Sequence, residues 1–146
     1  EPYCEELAKA ITTEIRKGNR IDTTTKLRNV IEKTLDFLPN NKEKKDIIKK
    51  TCQRTFQALR IDVNNEFEVL YEFMEKLPGA LKPGGRVAIL TFHSGEDKLV
   101  KKALKAGYKE GIYSEYARDV VRPSAQECAQ NGRARSTKMR WAVKAE

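Results

Sequence analysis

Apolar residues recur at helical spacing along the first third of the chain. Leu7, Ile11 and Ile15 follow one another every four residues, which predicts an amphipathic helix that ends at Lys17–Gly18. A second helix is predicted to start in the N-cap-rich segment 22–25 and to break at Leu38-Pro39. Its predicted buried face consists of Leu27, Val30, Ile31 and Leu35. The N-terminal part is therefore expected to be helical.

The longest regular pattern covers residues 56–77. Its apolar positions are spaced by 3, 4, 4, 3, 4 and 3 residues, which predicts one helical face about 33 Å long at about 1.5 Å rise per residue. The face consists of Phe56, Leu59, Val63, Phe67, Leu70, Met74 and Leu77. We expect this helix to end at Pro78-Gly79, to bury its apolar side chains in a core, and to join a helical part rigidly to an α/β part.

The pattern changes between Leu81 and Leu104. A turn is predicted at residues 83–85, because proline presets φ and the two glycines can supply positive φ. Residues 87–92 are nearly all apolar without alternation, which predicts a strand covered on both faces, as in a parallel sheet. Ser94 lies three residues before Asp97, which is the spacing of an N-cap box for the helix that follows. The apolar stripe of that helix consists of Leu99, Val100, Ala103 and Leu104.

The segment Thr91–Ser94 lies where this buried strand ends and its helix begins. In open α/β sheets, ligands bind in the crevice at the carboxyl ends of the strands. His93 is the sole histidine, and it is either a hydrogen-bonded wall residue or a functional one. Ser94 fits a helix cap better than a nucleophile, because the chain has no G-x-S-x-G elbow and its histidine adjoins that serine.

The last forty residues predict short β elements. Arg118–Arg122 indicates a short strand, Ser124 an N-cap for a helical turn, and residues 132–136 a compact basic turn. Lys138–Lys144 alternates, which predicts a half-buried strand in a hairpin-like pair that closes one edge of the sheet. Met139, Trp141 and Val143 point to one face of that strand, and Lys138, Arg140 and Lys144 to the other. The phosphate-cradling patterns G-x-G-x-x-G and G-x-x-x-x-G-K are absent.

Composition narrows the classes of function. Lys plus Arg number 29 against 21 Asp plus Glu, and the net charge of +8 favours a polyanionic partner such as RNA or DNA, or simply serves solubility. Cys4, Cys52 and Cys128 form no C-x-x-C pair, which argues against a zinc site and a disulfide framework and fits a reducing compartment. No apolar run approaches the ~20 residues of a membrane helix, and no signal peptide is visible. The first residues lack an initiator Met, so we expect the chain to be cut from something longer.

Two basic stretches are possible nucleic-acid surfaces. Residues 42–50 (KEKKDIIKK) are either a solvated helical face or a patch that touches phosphates. Arg54, Gln57 and Arg60 lie in the first turns of the long predicted helix. They are either solvent-facing or part of a surface that contacts RNA backbone or base edges.

Three segments together resemble the RsmH/MraW family. They are RTFQALRIDVNNE (Arg54–Glu66), LKPGGRVAILTFHSGEDKLVK (Leu81–Lys101) and RPSAQECAQNGRARSTKMRWA (Arg122–Ala142). Members of this family are S-adenosylmethionine-dependent methyltransferases that act on the N4 amine of a cytosine in small-subunit ribosomal RNA. The chain has Gly95 where a leucine is usual in FHS-L-ED.

The resemblance implies an α/β fold in which only part of the methyltransferase is present. Residues 1–58 would belong to an inserted helical, substrate-recognition domain. Residues 59–146 would form the C-terminal part of a class I, Rossmann-like domain with its late strands, the fifth to the seventh. The other half would hold the first four strands and most of the S-adenosylmethionine site, so this chain alone is expected to be inactive. The sheet edge left unpaired would be covered by that half or by a partner chain.

The resemblance also implies the roles of the site residues. His93 and Ser94 are the predicted catalytic residues, in a base-pocket wall that also includes Thr91 and Phe92. Glu96 and Asp97 would cap or orient this segment. The predicted RNA-backbone contacts are Arg54, Gln57, Arg60, Arg133 and Arg135. No cofactor-binding residue and no metal ligand is predicted in this chain.

Two other functions compete with the enzyme. One is a non-catalytic RNA-binding or ribosome-assembly factor derived from the same family, and the other is a basic α/β domain that binds a protein. The predicted partner is small-subunit rRNA or the ribosomal subunit, without a membrane. The predicted location is the bacterial cytoplasm or the matrix of a mitochondrion or plastid.

Overall fold

The computed structural model describes residues 1–146, which form two compact units, Glu1–Asn64 and Asn65–Glu146. The division falls six residues after the predicted boundary at residue 58, and the assignment of these units to domains of the family stays a prediction. The helices of the first unit are α1 (Cys4–Arg16), α2 (Thr24–Thr34) and α3 (Lys42–Asn64). The second unit contains α4 (Glu66–Ala80), β1 (Arg86–Thr91), α5 (Ser94–Lys109), β2 (Tyr113–Tyr116), α6 (Ala125–Gln130), a short 3-10 helix (Gly132–Ser136) and β3 (Lys138–Lys144).

The helical unit is built around one small core, as the apolar periodicity of its first two helices predicts. Thr23 caps α2 by accepting a hydrogen bond from the backbone N–H of Lys26 at 3.2 Å. The buried core residues are Leu7, Leu27, Ile31 and Leu35, and Ile47, Ile48, Cys52 and Phe56 of α3 pack against them.

All three cysteines of the chain are free thiols. None of the helices combines the length and apolar composition that a membrane span requires.

The single long helix predicted over residues 56–77 is wrong. Asn65 adopts a left-handed conformation, with φ 48° and ψ 43°, and α3 ends before it while α4 starts after it. The apolar spacing continues across the break, but asparagine tolerates the left-handed region and is a poor helix former. The end of α4 also differs from the prediction, because Pro78 lies inside the last turn and the helix continues to Ala80.

The sheet has three strands in the order β1-β3-β2, and β3 is antiparallel to both neighbours. No parallel pair occurs, and β1 is an edge strand with one exposed face, on which Leu90 is 57% exposed. The prediction of a strand covered on both faces is therefore wrong within this chain. An unbroken apolar run predicts that both faces of a strand are covered. It does not show whether the covering residues belong to the same segment of the protein.

Two of the predicted β positions also differ. The second strand lies at Tyr113–Tyr116, whereas Arg118–Arg122 contributes only a bridge between Val121 and Met139. The last strand does not close an edge of the sheet, because it is inserted between the other two. The predicted cap at Ser124 and the compact turn at residues 132–136 are confirmed.

Helices α4 and α5 cover one face of the sheet. The buried residues of this core are Met74, Leu77, Val100, Leu104, Tyr113 and Ala142, and Val87 and Ile89 of β1 pack against them. Arg140 of β3 is only 5% exposed and Ala142 is fully buried, so the strand turns its Arg140 face inward. Met139, Trp141 and Val143 are half-buried on the opposite face, beside Leu90 and Ala88 of β1. The alternation of β3 is therefore as predicted, but a charged residue lies on its inner face.

Candidate functional site

His93 is the N-cap of α5, at the end of β1. Its backbone is extended, with φ −142° and ψ 164°, and its ring Nδ1 accepts hydrogen bonds from the backbone N–H groups of Gly95 (3.2 Å) and Glu96 (3.4 Å). In return, Glu96 Oε2 accepts a hydrogen bond from the Phe92 backbone N–H at 3.0 Å. The prediction that Ser94 is the N-cap is wrong, since Ser94 is the first residue of the helix. An imidazole can cap this helix because its Nδ1 lone pair accepts from the same free backbone N–H groups of the first turn that a serine hydroxyl usually binds.

An aromatic contact fixes the orientation of the His93 ring. Phe67 meets it edge to face, with ring centroids 5.9 Å apart and an interplanar angle of 84°. Gly95 makes room for this pair, because a Cβ at that position would lie 2.8 Å from Phe67 Cζ and 3.1 Å from His93 Nδ1. A leucine, which is usual here in the family, would not fit this arrangement without movement of Phe67.

The capping bonds decide which ring nitrogen of His93 carries the proton. Because Nδ1 accepts two N–H groups, the neutral ring must carry its proton on Nε2. Nε2 is buried, has no hydrogen-bond partner within the usual limits, and lies 3.4 Å from Glu96 Oε1. The ligand atoms of Glu66, His93 and Glu96 lie within 4.8 Å of one another. Imidazole nitrogen and carboxylate oxygens are zinc ligands in many proteins, but a cation on Nε2 would require the ring proton to move to Nδ1, which would break both capping hydrogen bonds.

The four residues of the predicted base-pocket wall point in different directions. Thr91 is buried, and its Oγ1 donates a hydrogen bond to the carbonyl oxygen of Lys138 at 3.4 Å. Phe92 as a whole is 55% exposed and Ser94 is exposed, whereas the His93 side chain is only 15% exposed. The strand end therefore exposes Phe92 and Ser94, whereas Thr91 and most of the His93 side chain are buried.

An ion pair that sequence reasoning missed links this helix start to the sheet. The Nε and Nη2 atoms of Arg140 donate to the two carboxylate oxygens of Asp97 at 2.8 and 3.2 Å. The Nη1 atom donates to the carbonyl oxygens of Ala117 (3.4 Å) and Arg118 (3.1 Å). The hydrogen bond from Arg140 lowers the pKa of Asp97 below its ordinary value, against the opposing effect of burial. Asp97 therefore pairs with Arg140 instead of taking part in the expected N-cap box. The one signal of this ion pair in the sequence was the charged Arg140 between the apolar residues Met139 and Trp141 of β3.

The predicted RNA-binding residues form two groups, one in each unit. Arg54, Gln57 and Arg60 line one shallow groove of about 490 Å³ on α3. Arg54 also pairs with Glu1 at 3.3 Å, which partly neutralises its charge. In the second unit, Arg133 and Arg135 lie exposed in the 3-10 helix. Their contacts with RNA stay a prediction.

Comparison with known proteins identifies the chain's relatives. The model of the MraW methylase family matches residues 1–145. A protein named ribosomal RNA small subunit methyltransferase H 1 from Agathobacter rectalis is 89% identical over 146 residues, which are 100% of this chain and 42% of that protein. Its namesake from Lachnoclostridium phytofermentans is 70% identical over 145 residues, 99% of this chain and 39% of that protein. Ribosomal RNA small subunit methyltransferase H 2 from Alkaliphilus metalliredigens is 59% identical, over 99% of this chain and 41% of that protein.

These alignments establish both the affiliation and its extent. The chain spans about two-fifths of the length of these curated relatives, between 39% and 42%. The similarity runs without interruption through both compact units, from the first helix to the last strand. The chain therefore belongs to the MraW methylase family.

Proposed function

We propose that the protein carrying this chain is an S-adenosylmethionine-dependent methyltransferase that modifies the N4 amine of a cytosine in small-subunit rRNA. The observation that carries the proposal is the family match over residues 1–145, together with an 89% identical relative named as a small-subunit rRNA methyltransferase. The chain would supply the C-terminal part of the enzyme. Since the relatives are bacterial, we place the protein in the cytoplasm, with the ribosomal subunit or its RNA as substrate.

The topology of the sheet supports a Rossmann-like assignment. Because β1 and β2 are both antiparallel to β3, they run in the same direction, and α5 connects them. A helix that connects two strands of the same direction is the repeating unit of doubly wound α/β folds. We assign β1, β2 and β3 to the fifth, sixth and seventh strands of such a sheet. The free edge of β1 and the uncovered face around Trp141 would then meet the earlier strands and their helices.

The chemistry requires close positioning more than an activated protein group. S-adenosylmethionine, when bound, would supply an electrophilic methyl group, and the residues at the end of β1 would hold the cytosine amine in line with it. Holding the two reactants in this geometry accounts for much of such catalysis. The target base must also leave its stack to reach the methyl group. The cofactor contacts are assigned to the part of the protein outside this chain.

The residues at the end of β1 would hold the flipped base. The exposed ring of Phe92 offers a face for stacking, a contact of about 1–3 kcal/mol per base. His93 would hydrogen-bond the base or its phosphate through the Nε2 proton, since its Nδ1 lone pair is used by the helix. The exposed Ser94 hydroxyl would add a second polar contact. Arg54, Gln57, Arg60, Arg133 and Arg135 would contact the RNA backbone.

The experiment uses the full-length protein and small ribosomal subunits that lack the modification. Transfer of a labelled methyl group from S-adenosylmethionine is measured for the wild type and for His93→Asn, which keeps a capping side chain but removes the imidazole. We expect the wild type to methylate a cytosine N4 and His93→Asn to lose at least about tenfold in rate at similar stability. The control Ser124→Ala removes the cap of α6 and should leave the rate unchanged. Absence of methylation by the wild type contradicts the proposed function, and full activity of His93→Asn removes His93 from the site.

A second candidate function is RNA binding without catalysis. It is favoured by the net charge of +8 and by the absence of a phosphate-cradling glycine loop from this chain. We expect calorimetry to detect no S-adenosylmethionine binding by the 146-residue chain alone. Micromolar binding would contradict the assignment of the cofactor site to another part of the protein.

A further inference from the structure

We propose that a cleft between α1 and α2 is a docking track for the phosphate backbone of the RNA substrate. The cleft has a volume of about 910 Å³ and lies entirely within the first unit. Its lining contains the cationic residues Lys9, Lys17, Arg20, Lys26 and Lys33 and the acidic residues Glu14 and Asp22. It is separate from the groove of Arg54 and Gln57 on α3. The inference rests on the proposed function, because it names the surface by which that enzyme would hold its substrate.

The acidic groups of the cleft are already occupied. Asp22 pairs with Lys26 at 2.6 Å, and Glu14 accepts a hydrogen bond from the Asn19 side-chain amide at 2.8 Å. The hydrogen bond and charge of Lys26 also lower the pKa of Asp22. Both acidic side chains of the cleft therefore already have a hydrogen-bonding partner within the first unit.

Four cations of the cleft remain uncompensated. The side chains of Lys9, Lys17, Arg20 and Lys33 form no ion pair in the structure, and all four residues are exposed. With two acids against five bases, the lining carries a net charge of +3. A concave surface with an excess of one sign of charge concentrates ions of the opposite sign. The cleft is therefore built to attract an anion.

The dimensions and chemistry of the cleft favour an extended polyanion. Lys9 and Lys17 are eight residues apart on one wall, or about 12 Å at about 1.5 Å per residue, and Lys26 and Lys33 are about 10 Å apart on the other. A single phosphate cannot span such a distance, whereas a nucleic-acid backbone offers several. The lining contains no aromatic residue on which a base could stack, and four of its five cations are lysines, which act as point charges. The cleft would therefore position the RNA without reading its sequence.

The experiment measures binding of fluorescein-labelled oligouridylate to the 146-residue chain by anisotropy over a series of salt concentrations. The test variant combines K9Q, K17Q and K33Q, and a charge-reversed set, K9E, K17E and K33E, amplifies the effect. The control combines K101Q, K105Q and K109Q, which removes the same charge from the exposed side of α5. Circular dichroism confirms that each variant is folded.

We expect the test variant to lose about tenfold or more in affinity at low salt, and the slope of log K against log salt to fall by about 2, or 0.7 for each of three lost phosphate contacts. The control should lose less than about threefold. Equal losses in both variants, or an unchanged slope in the test variant, would overturn the proposal. Polyglutamate that competes as well as RNA would instead assign the cleft to an acidic protein.

The same variants separate this inference from the proposed function. If the full-length test variant methylates ribosomal subunits with unchanged KM, the cleft is not the docking track, although the enzyme assignment stands. If the wild-type protein binds RNA through the cleft but transfers no methyl group, the docking track stands and the enzyme assignment fails.

Discussion

Arg140 on the central strand holds Asp97 in the first turn of α5 through two parallel hydrogen bonds of 2.8 and 3.2 Å. The side chains are only 6% and 13% exposed, respectively, so the pair is largely shielded from water. A planar guanidinium that donates two parallel hydrogen bonds to one carboxylate fixes the relative orientation of the two side chains as well as their separation. The pair therefore sets where α5 begins relative to the sheet, and with it the position of His93.

Removal of the Asp97 carboxylate should strongly destabilise the chain. Asp97→Ala leaves the buried guanidinium without its counter-charge, which typically costs about 3 kcal/mol or more. Chemical denaturation gives the free energy of unfolding. Asp119→Ala, at an exposed aspartate of the same unit, should stay within about 0.5 kcal/mol of the wild type. Similar costs for the two variants would show that the pair adds no stability.

Acid should weaken the fold through the same carboxylate. The pKa of Asp97 is lowered in the folded chain by its hydrogen bond from Arg140, so the native state binds this proton less readily than the unfolded state. The stabilisation is therefore complete above the unfolded pKa of about 3.9 and is lost as the pH falls through the folded value. Asp97→Asn cannot titrate, and its stability should change less than that of the wild type below about pH 4. Denaturation midpoints across a pH series test this, and parallel curves would contradict it.

Gly107 should not tolerate alanine. It is buried within α5, and a Cβ there would lie 2.6 Å from Cδ2 and Cε2 of the Tyr113 ring. We expect Gly107→Ala to destabilise by about 1–3 kcal/mol through overpacking, even though alanine favours the helix. Gly79→Ala is the matched control, since it also replaces a helical glycine but meets no atom within 4 Å. A lower thermal unfolding midpoint for Gly79→Ala than for Gly107→Ala would contradict the prediction.

The fluorescence of Trp141 should report whether the open face of the sheet is covered. It is the one tryptophan of the chain, half-buried beside a cavity of about 560 Å³ on that face. In the isolated chain we expect red-shifted emission that iodide quenches. In the full-length protein the apolar face would be covered, so the emission should shift to the blue and resist quenching. The difference must vanish in Trp141→Phe, and identical spectra for the two wild-type proteins would show that nothing covers this face.

Local periodicity predicts most of the helices but not their breaks. α1, α2 and α5 follow from apolar spacing, because each buries one stripe against a nearby core. The break at Asn65 is invisible to that method, since the apolar register is the same on both sides of it. The strand at Tyr113–Tyr116 was missed because its two tyrosines are three residues apart and do not alternate, whereas the adjacent valines Val120 and Val121 favoured a strand at Arg118–Arg122.

Long-range contacts explain the parts of the site that could not be predicted. Arg140 and Asp97 are separated by 43 residues, so no local window pairs them. The cap at His93 was missed because serine is the usual capping residue and Ser94 follows directly. The location of the strand–helix junction itself was predicted correctly, since an apolar run followed by an amphipathic stripe needs no distant partner.

The order of the strands has a consequence for synthesis. β1 pairs only with β3, and β3 follows it by about fifty residues along the chain. At about 5–20 residues per second, the apolar strand 86–91 would wait roughly 3–10 s for residues 138–144 to be translated. During that interval the edge of β1 that later pairs with β3 keeps its backbone N–H and C=O groups unpaired, so it is open to pairing with another strand.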